Sequence, residues 1–141
     1  MPIAARTKIE INPALCRELS GLDDLARVFF PDNKNHRRAF LAIWVEIKYA
    51  DAQFLSSRED VAGRHGVSRR TLETARAKLR KLGLIKRVSH FNPAYGHESG
   101  WTFCNRILAC LSHLRTRIAA GQEASGRPVD EKKDRDAMYY V

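Results

Sequence analysis

The sequence predicts a mainly α fold that carries one small β-hairpin. Three observations lead there. Apolar residues recur at spacings of three and four over residues 33–51, 69–82 and 105–120, the period of an amphipathic helix. Gly66, Val67 and Ser68 separate two helical stretches as a stop signal followed by a start signal. After Gly83 the pattern changes to a β-rich run, a cluster of turn formers and a second β-rich run.

Each element follows from its residues. Residues 7–11 suit a short strand or an ordered arm. Asn12-Pro13 opens a short helix to about Ser20, and residues 22–29 continue it after Gly21. Pro31 then breaks the chain, because a proline has no N–H for a helix interior. Residues 33–51 predict a strong helix. Its apolar residues Ala39, Phe40, Leu41, Ile43, Trp44, Val45 and Ile47 cover more than one face, so it needs two burial surfaces. Phe54-Leu55 reads as a short extended bridge. Ser57 is the expected cap of the next helix, with Glu59 and Asp60 in a first turn that favours negative charge. Gly66 ends that helix in the left-handed conformation, Val67 plugs the corner, and Ser68 caps the second helix. There Leu72, Ala75, Leu79 and Leu82 form one face. Arg70, Glu73, Thr74, Ala77, Lys78 and Lys81 form the opposite one, with Arg69, Thr71, Arg76 and Arg80 nearer the flanks.

Residues 84–91 read as a strand, 92–100 as a long loop and 101–104 as a returning strand. The last helix runs from about 105 to 120, and Ile107, Leu111, Leu114 and Ile118 make an apolar stripe along it. That stripe is either intramolecular core or the seam of a two-helix dimer. Residues 121–137 are polar and lack periodicity, which predicts a flexible tail, although Met138 to Val141 is an apolar end. The expected organisation is an N-terminal arm with short helices over 1–32, one domain over 33–120, and a tail over 121–141.

Charge narrows the function. The 141 residues carry a formal net charge of +9, which favours a polyanionic partner. Between residues 64 and 87 there are nine Arg or Lys and a single acid, Glu73. A solvated helix usually mixes signs to gain pairs one turn apart, whereas a one-signed face repels itself until a polyanion covers it. Two helices joined by a tight turn, with that face on the second, suit a groove of double-stranded DNA.

Gly66-Val67-Ser68-Arg69-Arg70-Thr71-Leu72, Ala75, Leu79 and Gly83-Leu84-Ile85 resemble a winged helix-turn-helix domain, over about residues 36–108. The local pattern is similar to the DNA-binding half of GntR-type regulators. It is also similar to the winged-helix modules of plasmid and phage replication or maintenance proteins. The resemblance implies sequence-specific binding of double-stranded DNA, for transcriptional regulation or for replication or partition of a mobile element. It places Ser68, Arg69, Arg70 and Thr71 at the start of the recognition helix, and a wing after Arg87. Many relatives carry a basic residue just after the position matching Leu72; this chain has Glu73, suited to a cytosine N4 or to pairing with Arg69 or Arg76.

The expected DNA contacts are therefore Ser68, Arg69, Arg70, Thr71, Glu73, Thr74, Lys78 and Lys81 on the recognition helix. Arg70, Thr74 and Lys78 are the expected readers of bases. Arg87, His90, Asn92, Tyr95 and His97 are expected from the wing, and Ser57 and Arg58 toward the backbone from the first helix. A homodimer seam is expected at Ile107, Leu111, Leu114 and Ile118, since such proteins commonly read two-fold sites. The alternative is a winged-helix module that binds protein through the helix of Trp44, without specific DNA readout.

Other classes find less support. No phosphate-binding loop, zinc-hydrolase helix or nucleophile elbow is present, so no enzyme chemistry is expected. Cys110 with His113, and His90, His97 and Cys104, match no metal-ligand spacing, and no metal or cofactor is expected. Cys16, Cys104 and Cys110 suggest reduced thiols in a cytoplasmic protein. The N-terminal stretch lacks the apolar run of a signal peptide, and no stretch reaches the ~18 apolar residues of a membrane span. A small-molecule effector is left unassigned.

Overall fold

Asparagine caps begin the helical part of the chain. The computed structural model describes residues 7–94 and 96–141. Asn12 caps α1 (Pro13–Arg17), its side-chain oxygen accepting from the Ala14 N–H at 2.9 Å. The chain turns at Glu18 and resumes as α2 (Leu22–Phe29). Asn33 caps α3 (Lys34–Lys48), accepting from the Asn35 N–H at 2.9 Å and the His36 N–H at 3.1 Å. Then follow β1 (Leu55–Ser56), α4 (Val61–His65), α5 (Arg69–Leu82), β2 (Ile85–Asn92), β3 (Gly96–Phe103), α6 (Arg106–Gln122) and α7 (Pro128–Asp136). The fold is mainly helical with one small three-stranded antiparallel sheet, ordered β1-β3-β2. The chain divides into two units, the first ending at Ile107 and the second beginning at Leu108.

In the first unit α3 is the hub. α2, α4, α5 and β3 all pack on it, which answers its need for more than one burial surface. Phe40, Ile43 and Ile47 of α3 are fully buried together with Val61, Leu79 and Ile85. Each such side chain contributes about 1.5–3 kcal/mol of burial free energy. An aromatic chain links the layers: Phe29 to Phe40 at 6.0 Å, Phe40 to Trp44 at 5.3 Å, and Trp44 to Phe103 at 4.7 Å. Trp44 thus packs inside this unit. Residues 7–11 form an arm rather than a strand; the Glu10 N–H donates to the Val28 carbonyl at 2.9 Å and Ile9 packs against the core.

Two expectations about the sheet change. Leu55–Ser56 is a third strand, in register with Trp101 and Gly100 of β3, not an isolated bridge. Residue 100 must be glycine here, since a Cβ would come within 2.5 Å of the Leu55 carbonyl and the Phe54 ring. The long loop expected over 92–100 is mostly strand: β3 starts at Gly96, which faces Asn92 across the hairpin. Histidine, serine and glycine are poor strand formers by composition, but cross-strand pairing overrides that weak preference.

The helix expected to start at Ser57 starts later. Asp60 caps α4, accepting from the Gly63 N–H at 2.9 Å. Ser57 instead donates to the Ser99 carbonyl at 2.9 Å, tying the turn after β1 to β3.

The second unit holds most of α6, then α7 and a 3-10 turn over Ala137–Tyr140. Residues 128–136 are helical where a structureless tail is expected. Pro128 opens α7, Asp130 and Glu131 lie in its first turn, and Lys133 and Arg135 in its last, all favourable to the helix dipole. Arg135 bonds Glu131 at 2.8 Å one turn back. Met138, Tyr139, Tyr140 and Val141 are exposed. Among the described residues, no helix is long and apolar enough to cross a membrane.

Candidate nucleic-acid interface

The turn between α4 and α5 is made by two residue choices. Gly66 adopts φ 64°, ψ 31°, a left-handed conformation that glycine reaches without steric penalty. Ser68 then caps α5, its hydroxyl accepting from the Thr71 N–H at 3.1 Å and donating to the Thr71 hydroxyl at 2.7 Å. Thr74 donates to the Arg70 carbonyl at 2.9 Å. The hydroxyls of Ser68 and Thr74 therefore spend their protons within their own helix.

The solvent face of α5 carries Arg69, Arg70, Glu73, Thr74, Ala77, Arg80 and Lys81, all exposed, while Thr71 is half-buried. Arg70, Thr74, Ala77 and Lys81 follow at four, three and four, one line along the helix. Among the described residues, Arg69, Arg70, Arg80 and Lys81 take part in no ion pair. α4 differs: Arg64 pairs with Glu46 at 3.2 Å and Glu59 at 3.0 Å, and His65 contacts Glu46 at 2.8 Å.

Lys78 corrects the expected set of base readers. It is buried, and its amine donates to the carbonyls of Phe29 and Lys8. The amine also lies 4.6 Å from the Phe30 ring centroid. Phe29 is the last residue of α2, so this cation satisfies a helix-end carbonyl, where positive charge is favoured. Burial is the main influence on the amine and lowers its pKa; Asp32 opposes that and Lys8 reinforces it. At 100° per residue position 78 sits on the flank beside Leu82, not on the outer line, and a long side chain there reaches inward. Ala77 holds the outer place instead.

On the other flank α5 meets the sheet. Trp101 is buried, and three guanidinium groups lie over its indole: Arg76 at 5.1 Å, Arg80 at 5.9 Å and Arg87 at 5.9 Å from the ring centroid. Arg87 is the residue opposite Trp101 across β2 and β3. Burial holds the Arg76 guanidinium below the usual arginine range, with Glu73 opposing and Arg87 reinforcing the effect. Glu73 thus acts toward Arg76, although no salt bridge joins them. Arg106 donates to the carbonyls of Arg80 at 2.7 Å and Lys81 at 3.3 Å, closing the C-terminal end of α5. The result is an open cleft of about 510 Å³ with a strongly basic lining.

The hairpin residues divide. Arg87 and His97 are exposed on the sheet face that carries Trp101. Arg87 also donates to the Ser99 hydroxyl at 3.2 Å. His90 and Asn92 belong to the other face. His90 is exposed but stacks on Phe54 at 4.5 Å, and Asn92 bonds the Ala94 N–H at 2.9 Å and Glu98 at 3.4 Å. The Ser56 hydroxyl donates to Glu98 at 2.5 Å, and this bond chiefly holds the Glu98 carboxyl below its usual pKa. His90 and Asn92 are thereby tied to Phe54, Glu98 and Ser56 on the sheet face opposite Trp101. Tyr95 lies outside the described residues. Ser57 and Arg58 precede α4 instead of standing on it.

Sequence reasoning missed Trp101, Arg106 and the exposed Phe91 beside His97. Alternation along β2 marks 85, 87, 89 and 91 as one face, but which residues of β3 oppose them depends on a register the sequence leaves open. The expected dimer stripe also splits. Ile107 is core, whereas Leu111, Leu114 and Ile118 are 39%, 48% and 53% exposed, so Ile107 is no interface residue. Comparison with known protein families, curated proteins and solved structures finds no match to this chain.

Proposed function

We propose that this chain is a winged helix-turn-helix protein that binds double-stranded DNA, with α5 in the major groove and the β2–β3 hairpin as the wing. One observation carries the reading: among the described residues the outward cations of α5 form no ion pair, while Arg64 of α4 does. Self-repelling charge on a narrow helix is relieved by a polyanion, and a helix of this width fits the major groove. Arg70 is the base reader, since a guanidinium bonds guanine O6 and N7 together. Arg69, Arg80 and Lys81 contact phosphates. The biological role in this reading is transcriptional regulation, or replication or partition of a mobile element.

Salt dependence tests it. Contact with ~6–10 phosphates predicts an affinity loss of about 10³–10⁵ between 50 and 200 mM salt. A flat salt response in a duplex titration sinks the reading.

The same proposal includes a homodimer joined by Leu111, Leu114 and Ile118. Their exposure in line on α6, with Leu108 also exposed, leaves an apolar strip of the kind that oligomers cover. Leu114→Glu should give folded monomer that binds a palindromic duplex weakly. A wild type that already sediments as a monomer at micromolar concentration removes the dimer.

A further inference from the structure

We propose that the cleft between α5 and the hairpin is a single phosphate clamp, in which Trp101 arranges Arg76, Arg80 and Arg87 around one phosphate diester of a DNA strand. The proposal rests on the duplex reading above and adds to it a site whose members lie on two separate elements.

The argument begins with charge. The cleft lining includes Arg76, Arg80, Lys81, Arg87 and Arg106, against one acid, Glu73. Arg76 and Arg87 repel each other, Glu73 opposes that repulsion at Arg76, and the lining keeps a net positive charge that an anion would offset. The indole answers part of that repulsion. Its negative face attracts guanidinium groups and holds all three within 5.1–5.9 Å of one ring. Their forked donors are then pre-arranged, and the planar guanidinium matches phosphate oxygens two at a time. Arg80 and Arg87 are exposed and half-buried Arg76 lies beneath them, so the anion enters from the solvent side. Arg106 is fixed by the Arg80 and Lys81 carbonyls and closes one end. The cleft lies beside the groove-facing line of α5, where a backbone strand runs when that helix occupies the major groove.

A salt series on single and combined variants tests this. The probe is a duplex selected from a random pool, and thermal melting confirms that each variant is folded. Counterion release gives a slope of about 0.9 in log affinity against log salt for each phosphate neutralised. Arg76→Gln, Arg80→Gln and Arg87→Gln combined should lower the slope by about 0.9, the value for one phosphate. A drop of about 2.7 means three independent contacts and overturns the clamp, as does an unchanged slope. If Arg76→Gln unfolds the chain, the double variant of the exposed Arg80 and Arg87 serves instead: the clamp predicts a slope drop of no more than about 0.9, because Arg76 still faces the phosphate, and a drop of about 1.8 means two independent contacts and overturns it.

A second readout uses Trp44→Phe, which leaves Trp101 as the sole tryptophan. Duplex should change Trp101 emission, and the arginine variants should abolish that change. Inorganic pyrophosphate distinguishes the source of phosphate. If pyrophosphate shifts the emission and duplex does not, the cleft takes a free anion and the diester assignment is overturned. A wild type that binds no duplex at 50 mM salt overturns the broader reading first, and the clamp with it.

Discussion

α4 and α5 are neighbours joined by a three-residue turn, and both are basic. Their cations have different fates. Arg64 of α4 meets Glu46 of α3 and also Glu59, so that charge is answered within the chain, and the neighbouring His65 ring contacts Glu46 as well. On α5 the outer cations share their face with Glu73 but form no ion pair among the described residues, and Lys78 is turned inward to hold the end of α2 and the N-terminal arm. Similar side chains thus serve three purposes: pairing between helices, closing a helix end, and standing open to a partner. What separates them is the element opposite each one. Counting basic residues in a stretch overstates a binding face, because position on the helix decides whether a long side chain faces outward or inward.

Four substitutions test that division. The largest effect is expected at Lys78. Lys78→Met keeps the apolar stem but leaves the buried Phe29 carbonyl and the part-buried Lys8 carbonyl without this donor, at a cost of about 2–4 kcal/mol in stability by denaturant unfolding. Duplex affinity of the folded fraction should be unchanged. If stability holds and affinity falls instead, Lys78 is a reader and the comparison collapses. Arg70→Ala comes next, with about 1–3 kcal/mol lost in affinity for a selected duplex and relaxed preference at one base pair. Its unfolding free energy should move by no more than about 0.5 kcal/mol, as for an exposed position.

Ser68→Ala removes the cap that begins the exposed helix. It should cost about 1 kcal/mol in thermal stability, since the Thr71 N–H loses its acceptor. A substitution without effect would mean that water replaces the cap fully. The smallest change is expected at Arg64. Arg64→Ala removes two part-exposed pairs that share one guanidinium, together worth about 0.2–1 kcal/mol, and should leave the salt slope of duplex binding alone. A slope that falls with Arg64 would place α4 on the phosphate backbone and erase the contrast between the two helices.

Much of the local architecture was legible in the residues themselves. Gly66, Ser68, Gly83 and the Leu72, Ala75, Leu79 line determine where α5 starts, where it stops and which side is buried, because caps and helical periodicity are short-range effects. The exposure of Arg69, Arg70, Thr74 and Lys81 follows from the same periodicity. α7 was also written locally, in Pro128, its acidic first turn and its basic last turn, but a search for apolar periodicity passes over a helix with no buried residue. Tertiary structure alone decided the rest. The inward turn of Lys78 depends on the Phe29 and Lys8 carbonyls, far away in sequence. The arginine cluster on Trp101 depends on the register that sets Arg87 opposite it. Ile107 is core while Leu111 is exposed, although one stripe contains both. Helix limits are set by residues a few positions apart; the surroundings of a side chain are set by whatever the folded chain brings to it.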